Sequence, residues 1–340
     1  MATISRQSDP RKWARDNLRG VSGVTIPSFS SDLSELNTAG IAHDIELMKA
    51  LGFQFTLLMA EVNISPAENA HFTSVARDAA GSDFGLFFHA AFGTLADNIA
   101  AANLASDAGA DIALLSYPPQ FRPTTEQEIY DYTRAFCDAV DLPVMIFAIP
   151  TWGFERIHPS GMSVALVTRL VRDVPNIVAI KSEQGYPLIA GAIEMYHHFR
   201  NDIVISCPIE ADAIPLMAHL DIQFSGTSNT QWMSDYYPKA FRAASSGRWE
   251  EAMESYWKVN PARKAQSSAS ASYASATGVI NRTLWKYQDW LAGFNGGPLR
   301  APAMRAPDHL MKSLRAGLVS SRLPVTDDDD SDFMRGRNPR

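Results

Sequence analysis

Residues 176–181 read Asn-Ile-Val-Ala-Ile-Lys, a short apolar run that ends in a lysine. This run is one of eight, and the starts of successive runs lie 19 to 34 residues apart. Runs that are rich in Val, Ile, Leu and Phe and that alternate little are typical of strands buried on both faces of a parallel sheet. The predicted strands are residues 21–26, 54–59, 85–89, 112–116, 143–149, 177–181, 203–207 and 222–226.

The segments between these runs carry helix signals. Residues 124–128 read Thr-Thr-Glu-Gln-Glu, which is typical of a capped helix start, and residues 66–68 read Pro-Ala-Glu, like a first helical turn. Eight alternating strand and helix units most economically form an α/β fold of the (β/α)8 TIM barrel type. The rival, a doubly wound open sheet, usually has a glycine-rich turn after its first strand. Here residues 26–30 read Ile-Pro-Ser-Phe-Ser, with neither GxGxxG nor a P-loop, so a barrel is predicted.

The strand pattern stops near residue 246, which predicts four parts of the chain. They are an N-terminal extension (1–19), the barrel (20–246), a C-terminal helical region (247–320) and a disordered tail (321–340). The tail is expected to be disordered because four consecutive aspartates from Asp327 and three later arginines form a charged, solvated run. Helices are predicted at residues 248–259, 263–277, 280–293 and 308–318.

Composition excludes several classes of protein. The 340 residues carry 30 Lys and Arg against 37 Asp and Glu, a formal charge of −7, so a nucleic-acid partner is not expected. No stretch reaches the roughly 18 apolar residues of a membrane span. The first 19 residues are polar and show no secretory signal, so a cytoplasmic protein is expected. Cys137 and Cys207 form neither a disulfide framework nor a metal-ligand pattern.

Lys181 is the residue that points to chemistry. Barrel enzymes carry their reactive groups at the C-terminal ends of strands, and Lys181 ends the sixth run. Burial lowers the pKa of a lysine, and a neutral amine can attack a carbonyl to form a Schiff base. The resulting iminium withdraws electrons from the neighbouring carbon, which makes cleavage or formation of a C–C bond feasible. Position alone also allows a lysine that only pairs with Glu183 or Glu210 at the barrel rim.

Six segments, in order and with similar spacing, resemble the dihydrodipicolinate synthase / N-acetylneuraminate lyase family. Residues 177–185 (Ile-Val-Ala-Ile-Lys-Ser-Glu-Gln-Gly) are similar to the Schiff-base strand of that family. The resemblance covers about residues 17–318. The other five segments are residues 23–27, residues 92–99 together with 108–111, and residues 147–150, 226–229 and 297–302.

The resemblance implies a class I aldolase or lyase barrel in which Lys181 forms a Schiff base with a small-molecule carbonyl substrate. It implies no metal and no organic cofactor. Members of the family are usually homotetramers built from tight dimers, so a homo-oligomer is expected, with dimer and tetramer both open.

Four positions depart from the family pattern. The second strand ends in Leu58 and Met59 where the family has two threonines, whose hydroxyls and backbone amides hold the carboxylate of a 2-oxo acid. The tyrosine that relays protons falls at Phe147, an arginine of the synthase branch falls at Trp152, and the fourth strand ends in an altered motif at Tyr117. A carboxylate buried without donors costs several kcal/mol. These changes predict a pocket for a larger, less acidic carbonyl substrate, aromatic compounds included, with an apolar wall formed by Phe147 and Trp152.

The predicted catalytic residues are Lys181 and Tyr117, the latter in place of the missing tyrosine. Other candidate proton carriers at strand ends are Glu61, His89, Glu183 and Glu210; His89 and Glu210 can equally be structural, and ordered water is a further carrier. No catalytic role is expected for the Cys207 thiol. The predicted substrate-binding residues are Thr25, Met59, Ala60, Phe147, Trp152, Cys207 and Thr227.

Three functions are compatible with this site. The first is a Schiff-base lyase or aldolase that makes or breaks a C–C bond in a 2-oxo acid or a related carbonyl compound. The second is a hydratase-aldolase or dehydratase, which uses the same iminium but expels water. The third is a non-catalytic ligand-binding barrel, in which Lys181 stays in a salt bridge and the apolar replacements only fill space.

Overall fold

The computed structural model describes residues 9–183, 189–277 and 279–338, and within 272–277 it describes the helix but not the side chains. Eight parallel strands pair in sequence order, and β8 pairs with β1 to close the barrel. The predicted (β/α)8 barrel is therefore confirmed. The strands are β1 (Gly20–Thr25), β2 (Phe55–Leu58), β3 (Gly85–Ala90), β4 (Ile112–Leu115), β5 (Val144–Ala148), β6 (Ile177–Ser182), β7 (Val204–Ser206) and β8 (Phe224–Ser225).

Helices follow the strands around the barrel. Capping boxes at Ser65 and at Thr125 start two of them where the sequence predicts a start: each hydroxyl accepts from the backbone N–H three residues on, and the glutamate there bonds back to the cap. An N-terminal helix precedes the barrel. The helices are α1 (Pro10–Asn17), α2 (Thr38–Ala50), α3 (Pro66–Ala80), α4 (Leu95–Asp107), α5 (Glu126–Asp138), α6 (Val164–Asp173), α7 (Ile189–Phe199), α8 (Glu210–Leu216) and α9 (Tyr236–Ser245), with 3-10 turns at Pro150–Trp152, Phe154–Arg156 and Gln231–Met233.

Aromatic rings fill the N-terminal half of the barrel. Phe55, Phe87 and Phe224 pack against one another with ring centres 5.5 to 5.8 Å apart. Gly85 leaves the room that they need, because a Cβ at this position would lie 2.0 Å from the ring of Phe55. The interior is thus closed at this end, and a site must lie at the C-terminal ends of the strands.

The N-terminal helix α1 packs beside the barrel. The Trp13 side chain is buried, and Nε of Arg11 donates to the carbonyl of Ile177 at 3.1 Å. In addition, Nε2 of Gln223, beside β8, donates to the carbonyl of Leu18 at 2.7 Å. These contacts tie the described part of the N-terminal extension to β6 and β8.

Four further helices form the C-terminal extension that the sequence predicts. The Lys286 ammonium donates to the carbonyl of Pro27 at 2.8 Å, and Nε2 of Gln231 donates to Asp289 at 2.7 Å. These bonds hold the third of the four helices against the segments that follow β1 and β8, so its first turn reaches the barrel mouth. The four helices are α10 (Trp249–Lys258), α11 (Asn260–Thr277), α12 (Arg282–Leu291) and α13 (Asp308–Ser320).

The tail differs from the expected disorder. The Phe333 ring is buried with its centre 5.3 Å from that of Tyr287 and 5.8 Å from that of Trp290, beside a 3-10 turn at Asp330–Asp332. The Arg337 guanidinium donates to the carbonyl of Trp290 at 2.9 Å. The buried Phe333 ring and paired charges thus order the tail, although its charged composition predicts a disordered, solvated segment. Within the described residues, no helix combines the length and apolarity needed to cross a membrane.

Candidate active site

Lys181 lies inside the barrel near the C-terminal end of β6, with 5% of its surface exposed. Its Nζ donates to the carbonyl of Thr227 at 2.7 Å and lies 3.3 Å from Oε1 of Glu183. The same atom lies 4.0 Å from the ring centre of Phe147, which is paired with Lys181 in the register of β5 and β6. The amine is therefore enclosed by a carbonyl, a carboxylate and an aromatic face.

Burial lowers the pKa of Lys181, and the charge of Glu183, which acts in the opposite direction, offsets this shift only in part. The lowered pKa increases the neutral fraction of the amine at a given pH. A neutral amine at the mouth of a barrel can act as a nucleophile toward a carbonyl carbon.

Glu183 is held in place by its own backbone. Its N–H donates to the carbonyl of Ala148 at 2.7 Å, which extends the pairing of β5 and β6 by one residue. Among the described residues, it is the one acidic side chain that forms an ion pair with Lys181. The side chain is 21% exposed, so solvent can reach its carboxylate. Gln184 and Gly185, which complete the family-like segment, lie outside the described residues.

Phe147 and Trp152, the two residues of the predicted apolar wall, lie together. Their ring centres are 5.5 Å apart in an edge-to-face arrangement, and Nε1 of Trp152 donates to the carbonyl of Phe147 at 2.8 Å. Because Phe147 also contacts Lys181, one ring of this aromatic pair borders the amine.

Tyr117 is placed differently from the prediction. Its hydroxyl bonds to Oγ1 of Thr133 on α5 at 2.6 Å, and Thr133 in turn donates to the carbonyl of Ile129. Burial raises the pKa of the Tyr117 phenol. The ring packs in an aromatic cluster with Phe121, Tyr132, Trp152 and Phe154. Because the Tyr117 hydroxyl bonds to Thr133 on α5, the structure argues against its predicted role as proton carrier for Lys181.

The turn after β2 has its donors already occupied. The N–H of Met59 donates to the carbonyl of Thr25 at 3.1 Å, and the N–H of Ala60 donates to Nδ1 of His89 at 3.4 Å. The Thr25 hydroxyl bonds to that of Thr56 at 2.8 Å. Thr25, Met59 and Ala60, three of the predicted substrate-binding residues, thus lie together at one edge of the barrel, and these polar groups bond within the protein.

His89 is a buried histidine with both ring nitrogens bonded. Because Nδ1 accepts from Ala60, we assign the proton to Nε2, which donates to Oγ of Ser116 at 2.9 Å. Burial lowers the pKa of His89 to about 4, although the charge of Glu61 opposes this shift. The ring is neutral near pH 7, and its bonding favours a structural role.

Thr227 and Cys207 both lie buried near the ends of their strands. The Thr227 carbonyl accepts from Lys181, and its hydroxyl has no hydrogen-bond partner within the described ranges. Burial raises the pKa of the Cys207 thiol to about 12, so the thiol stays protonated and acts as a small apolar group.

Glu210, another candidate proton carrier, forms an ion pair with Arg263. Nε and one terminal nitrogen of Arg263 donate to the two carboxylate oxygens of Glu210 at 2.6 and 3.0 Å. Arg263 belongs to α11, so the pair ties the C-terminal extension to α8. This geometry favours the structural interpretation of Glu210.

Arg282, which no sequence motif marks, also lies at the mouth. It is the first residue of α12, and one terminal nitrogen donates to Oε2 of Glu61, just beyond the turn after β2. Its guanidinium carbon lies 4.1 Å from the ring centre of Trp285. Burial acts to raise the pKa of Glu61, but the charge and hydrogen bond of Arg282 contribute to a net lowering. Sequence reasoning missed Arg282 because the fold alone brings α12 to the mouth.

Comparisons with known proteins agree with this architecture. The model of the dihydrodipicolinate synthetase family matches residues 61–275, more than half of the chain. An uncharacterised DapA-like lyase of Thermococcus kodakarensis is 25% identical over 307 residues, which cover 87% of this chain and 93% of the relative. A 4-hydroxy-tetrahydrodipicolinate synthase of Methanothrix thermoacetophila is 23% identical over 305 residues, 87% of this chain and 95% of the relative.

A solved structure shares the fold. The crystal structure of dihydrodipicolinate synthase from Aquifex aeolicus superimposes with a TM-score of 0.75 at 19% identity, over 91% of this chain and 100% of that chain. At this identity the likeness concerns the fold, whereas the match to the family model concerns the sequence itself. This chain belongs to the dihydrodipicolinate synthetase family.

Proposed function

We propose that this protein is a class I carbon–carbon lyase or aldolase in which Lys181 forms a Schiff base with a 2-oxo acid or a related carbonyl compound. The observation that carries the proposal is the buried Lys181 amine at the barrel mouth, in contact with one carboxylate, that of Glu183. Membership of a family that contains lyases supports the same reaction class.

The first step is the condensation of the amine with the carbonyl group. The neutral Nζ of Lys181 attacks the carbonyl carbon, the carbonyl oxygen takes up a proton, and the nitrogen loses one, which gives a carbinolamine. A second proton converts the hydroxyl into leaving water, and the nitrogen lone pair forms the iminium. Glu183 carries these protons in our proposal, because its carboxylate lies 3.3 Å from Nζ, whereas the Tyr117 hydroxyl bonds to Thr133.

The second step breaks the C–C bond. A substrate hydroxyl on the carbon beyond the bond loses its proton, that carbon becomes a carbonyl, and the bonding electrons move to the iminium to form an enamine. Protonation of the enamine carbon and addition of water then release the second product and regenerate the free amine. The synthetic direction is the reverse sequence. The edge-to-face pair of Phe147 and Trp152 would face the apolar part of the substrate.

Reductive trapping tests this proposal. The protein is incubated with pyruvate, phenylpyruvate and simple aldehydes, each with borohydride, and the intact mass and the modified peptide are determined. We expect a reduced adduct on Lys181 that is absent in Lys181→Ala. The control Lys239→Ala removes an exposed ammonium on α9, paired with Asp235, and is expected to retain the adduct. Absence of an adduct with every compound would overturn the proposal.

One observation favours a second candidate, a non-catalytic ligand-binding barrel. The Lys181 ammonium already has three partners: the Thr227 carbonyl, the Glu183 carboxylate and the Phe147 ring. In such a barrel these contacts would hold the amine protonated. Thermal stabilisation by a carbonyl compound without any adduct mass would identify this case.

A further inference from the structure

The turn after β2 lacks free donors for a carboxylate. The side chains of Leu58 and Met59 are buried and apolar, and the N–H groups of Met59 and Ala60 donate within the protein. The resemblance to the family implies that this turn holds the carboxylate of a 2-oxo acid. A carboxylate placed here without donors would lose several kcal/mol of solvation. Another group must therefore bind it if the substrate is an acid.

Arg282 supplies such a group from a different part of the chain. One terminal nitrogen donates to Glu61, while Nη1 is shielded from solvent and has no hydrogen-bond partner anywhere in residues 9–183, 189–277 and 279–338. Stacking on Trp285 fixes the plane of the guanidinium. A buried guanidinium N–H without an acceptor is costly, so its presence points to an acceptor that arrives with a ligand.

The position of Arg282 fits a substrate attached to Lys181. In a closed barrel of eight strands in sequence order, β2 lies across the mouth from β6, four strands away. The Glu61 carboxylate, just past β2, anchors Arg282 on that side. Burial is the main cause of the lowered pKa of Lys181, and the positive charge of Arg282 acts in the same direction.

We propose that Arg282 binds the carboxylate of the substrate through Nη1 while the adjacent carbonyl carbon condenses with Lys181. The substrate is then a 2-oxo acid whose remaining, apolar part lies against Phe147 and Trp152. This inference rests on the proposed Schiff-base function. In it, the Arg282 guanidinium of the C-terminal extension binds the carboxylate, in place of the two threonines of the family pattern.

The test compares two variants that differ only at Arg282. Removing Arg282 alone would leave Glu61 without its partner, so Glu61→Gln serves as the background and Glu61→Gln/Arg282→Met as the test variant. The probes are pyruvate and phenylpyruvate, each beside its methyl ester, which differs in lacking the carboxylate charge. The readout is the concentration that gives half-maximal borohydride adduct in the intact mass spectrum.

We expect the test variant to need about 10- to 100-fold more of each acid than the background variant, with the esters trapped equally by both. The matched control Arg263→Lys alters another arginine that is ion-paired and ring-stacked, and whose Nε and terminal nitrogens all have partners. For Arg263→Lys we expect the half-maximal concentrations of the acids and of their esters to equal those of the unaltered protein.

Equal trapping of the acids by background and test variants, with adducts present, would overturn the role of Arg282 and leave the Schiff-base function intact. The unpartnered nitrogen would then belong to an ion pair that only anchors α12. No adduct in the unaltered protein with these four compounds or with the simple aldehydes would overturn both proposals.

Discussion

The Nζ atom of Lys181 lies 3.3 Å from Oε1 of Glu183, two residues further along the same strand end. Successive residues of a strand alternate in direction, so a carboxylate two positions on returns to the side of the amine. Burial of the lysine lowers its pKa, and Glu183 limits that shift. The pair thus places a carboxylate that solvent can reach beside the buried amine.

Glu183→Gln removes two proposed effects of the carboxylate: its charge raises the pKa of Lys181, and it carries protons during condensation. The amine loses its nearest negative charge, so its pKa falls further and trapping should begin at a lower pH. The proton carrier is also lost, so the rate of adduct formation should fall by about 100- to 10,000-fold. The measurement is the pH dependence of the borohydride trapping rate.

Glu183→Asp provides the control for this prediction, because it keeps a carboxylate at a slightly different reach. We expect Asp to recover part of the rate and to return the pH profile toward that of the unaltered protein. A Gln variant with an unchanged rate and profile would show that another group carries the proton.

Trp152 is expected to determine the preference for the apolar part of the substrate. Its ring packs edge to face against Phe147, and the Phe147 ring lies beside the amine. Trp152→Ala should weaken trapping of phenylpyruvate by about tenfold or more relative to pyruvate, because an apolar contact is lost only for the larger compound. The control is Trp257→Ala on α10, where the side chain is 58% exposed. A parallel loss for both compounds would argue against contact between Trp152 and the substrate.

Substitution of Phe333 tests whether the C-terminal tail is ordered or disordered. Its ring is buried against Tyr287 and Trp290 of α12. Phe333→Ala should lower the free energy of unfolding by about 3 kcal/mol, measured by urea denaturation. The neighbouring Met334 is 50% exposed, so Met334→Ala should have little effect. Equal effects of the two variants would support the disorder expected from the charge pattern.

The barrel could be predicted from the sequence because its strands are buried on both faces, and most of them therefore show as apolar runs. Strand β8 has only two paired residues, Phe224 and Ser225, and the predicted run at 222–226 includes them although Gln223 and Ser225 interrupt its apolar residues. The tail could not be predicted in this way. Its charges dominate the composition, whereas the buried ring of Phe333 and ion pairs to the tail aspartates hold it in place.

The site could be predicted only where it depends on strand ends. Lys181 and Phe147 are register neighbours, so a motif on each strand suffices to place them together. Tyr117 lies two residues after β4, but the direction of its hydroxyl depends on Thr133 of the following helix. Arg282 depends on the docking of α12, which rests on buried polar contacts such as that of Lys286 with the Pro27 carbonyl. Such long-range contacts leave no local pattern in a single sequence.

His89 should make the stability of the fold depend on pH. Its pKa is about 4 in the folded protein against an ordinary value of 6.5, chiefly because burial disfavours the charged ring. Between these values the unfolded chain binds more protons, so stability rises with pH; the contribution is complete above pH 6.5 and is lost as the pH falls toward 4.

This shift corresponds to about 3 kcal/mol between pH 7 and pH 4. His89→Asn keeps a polar side chain but cannot titrate, so its unfolding free energy should fall by about 3 kcal/mol less over this range than that of the unaltered protein. Asp44 titrates in the same window with the opposite sign, since burial raises its pKa to about 6, but it is common to both proteins and cancels in the difference. The measurement is urea denaturation at each pH, and identical pH slopes for the two proteins would mean that His89 is not kept neutral by the fold.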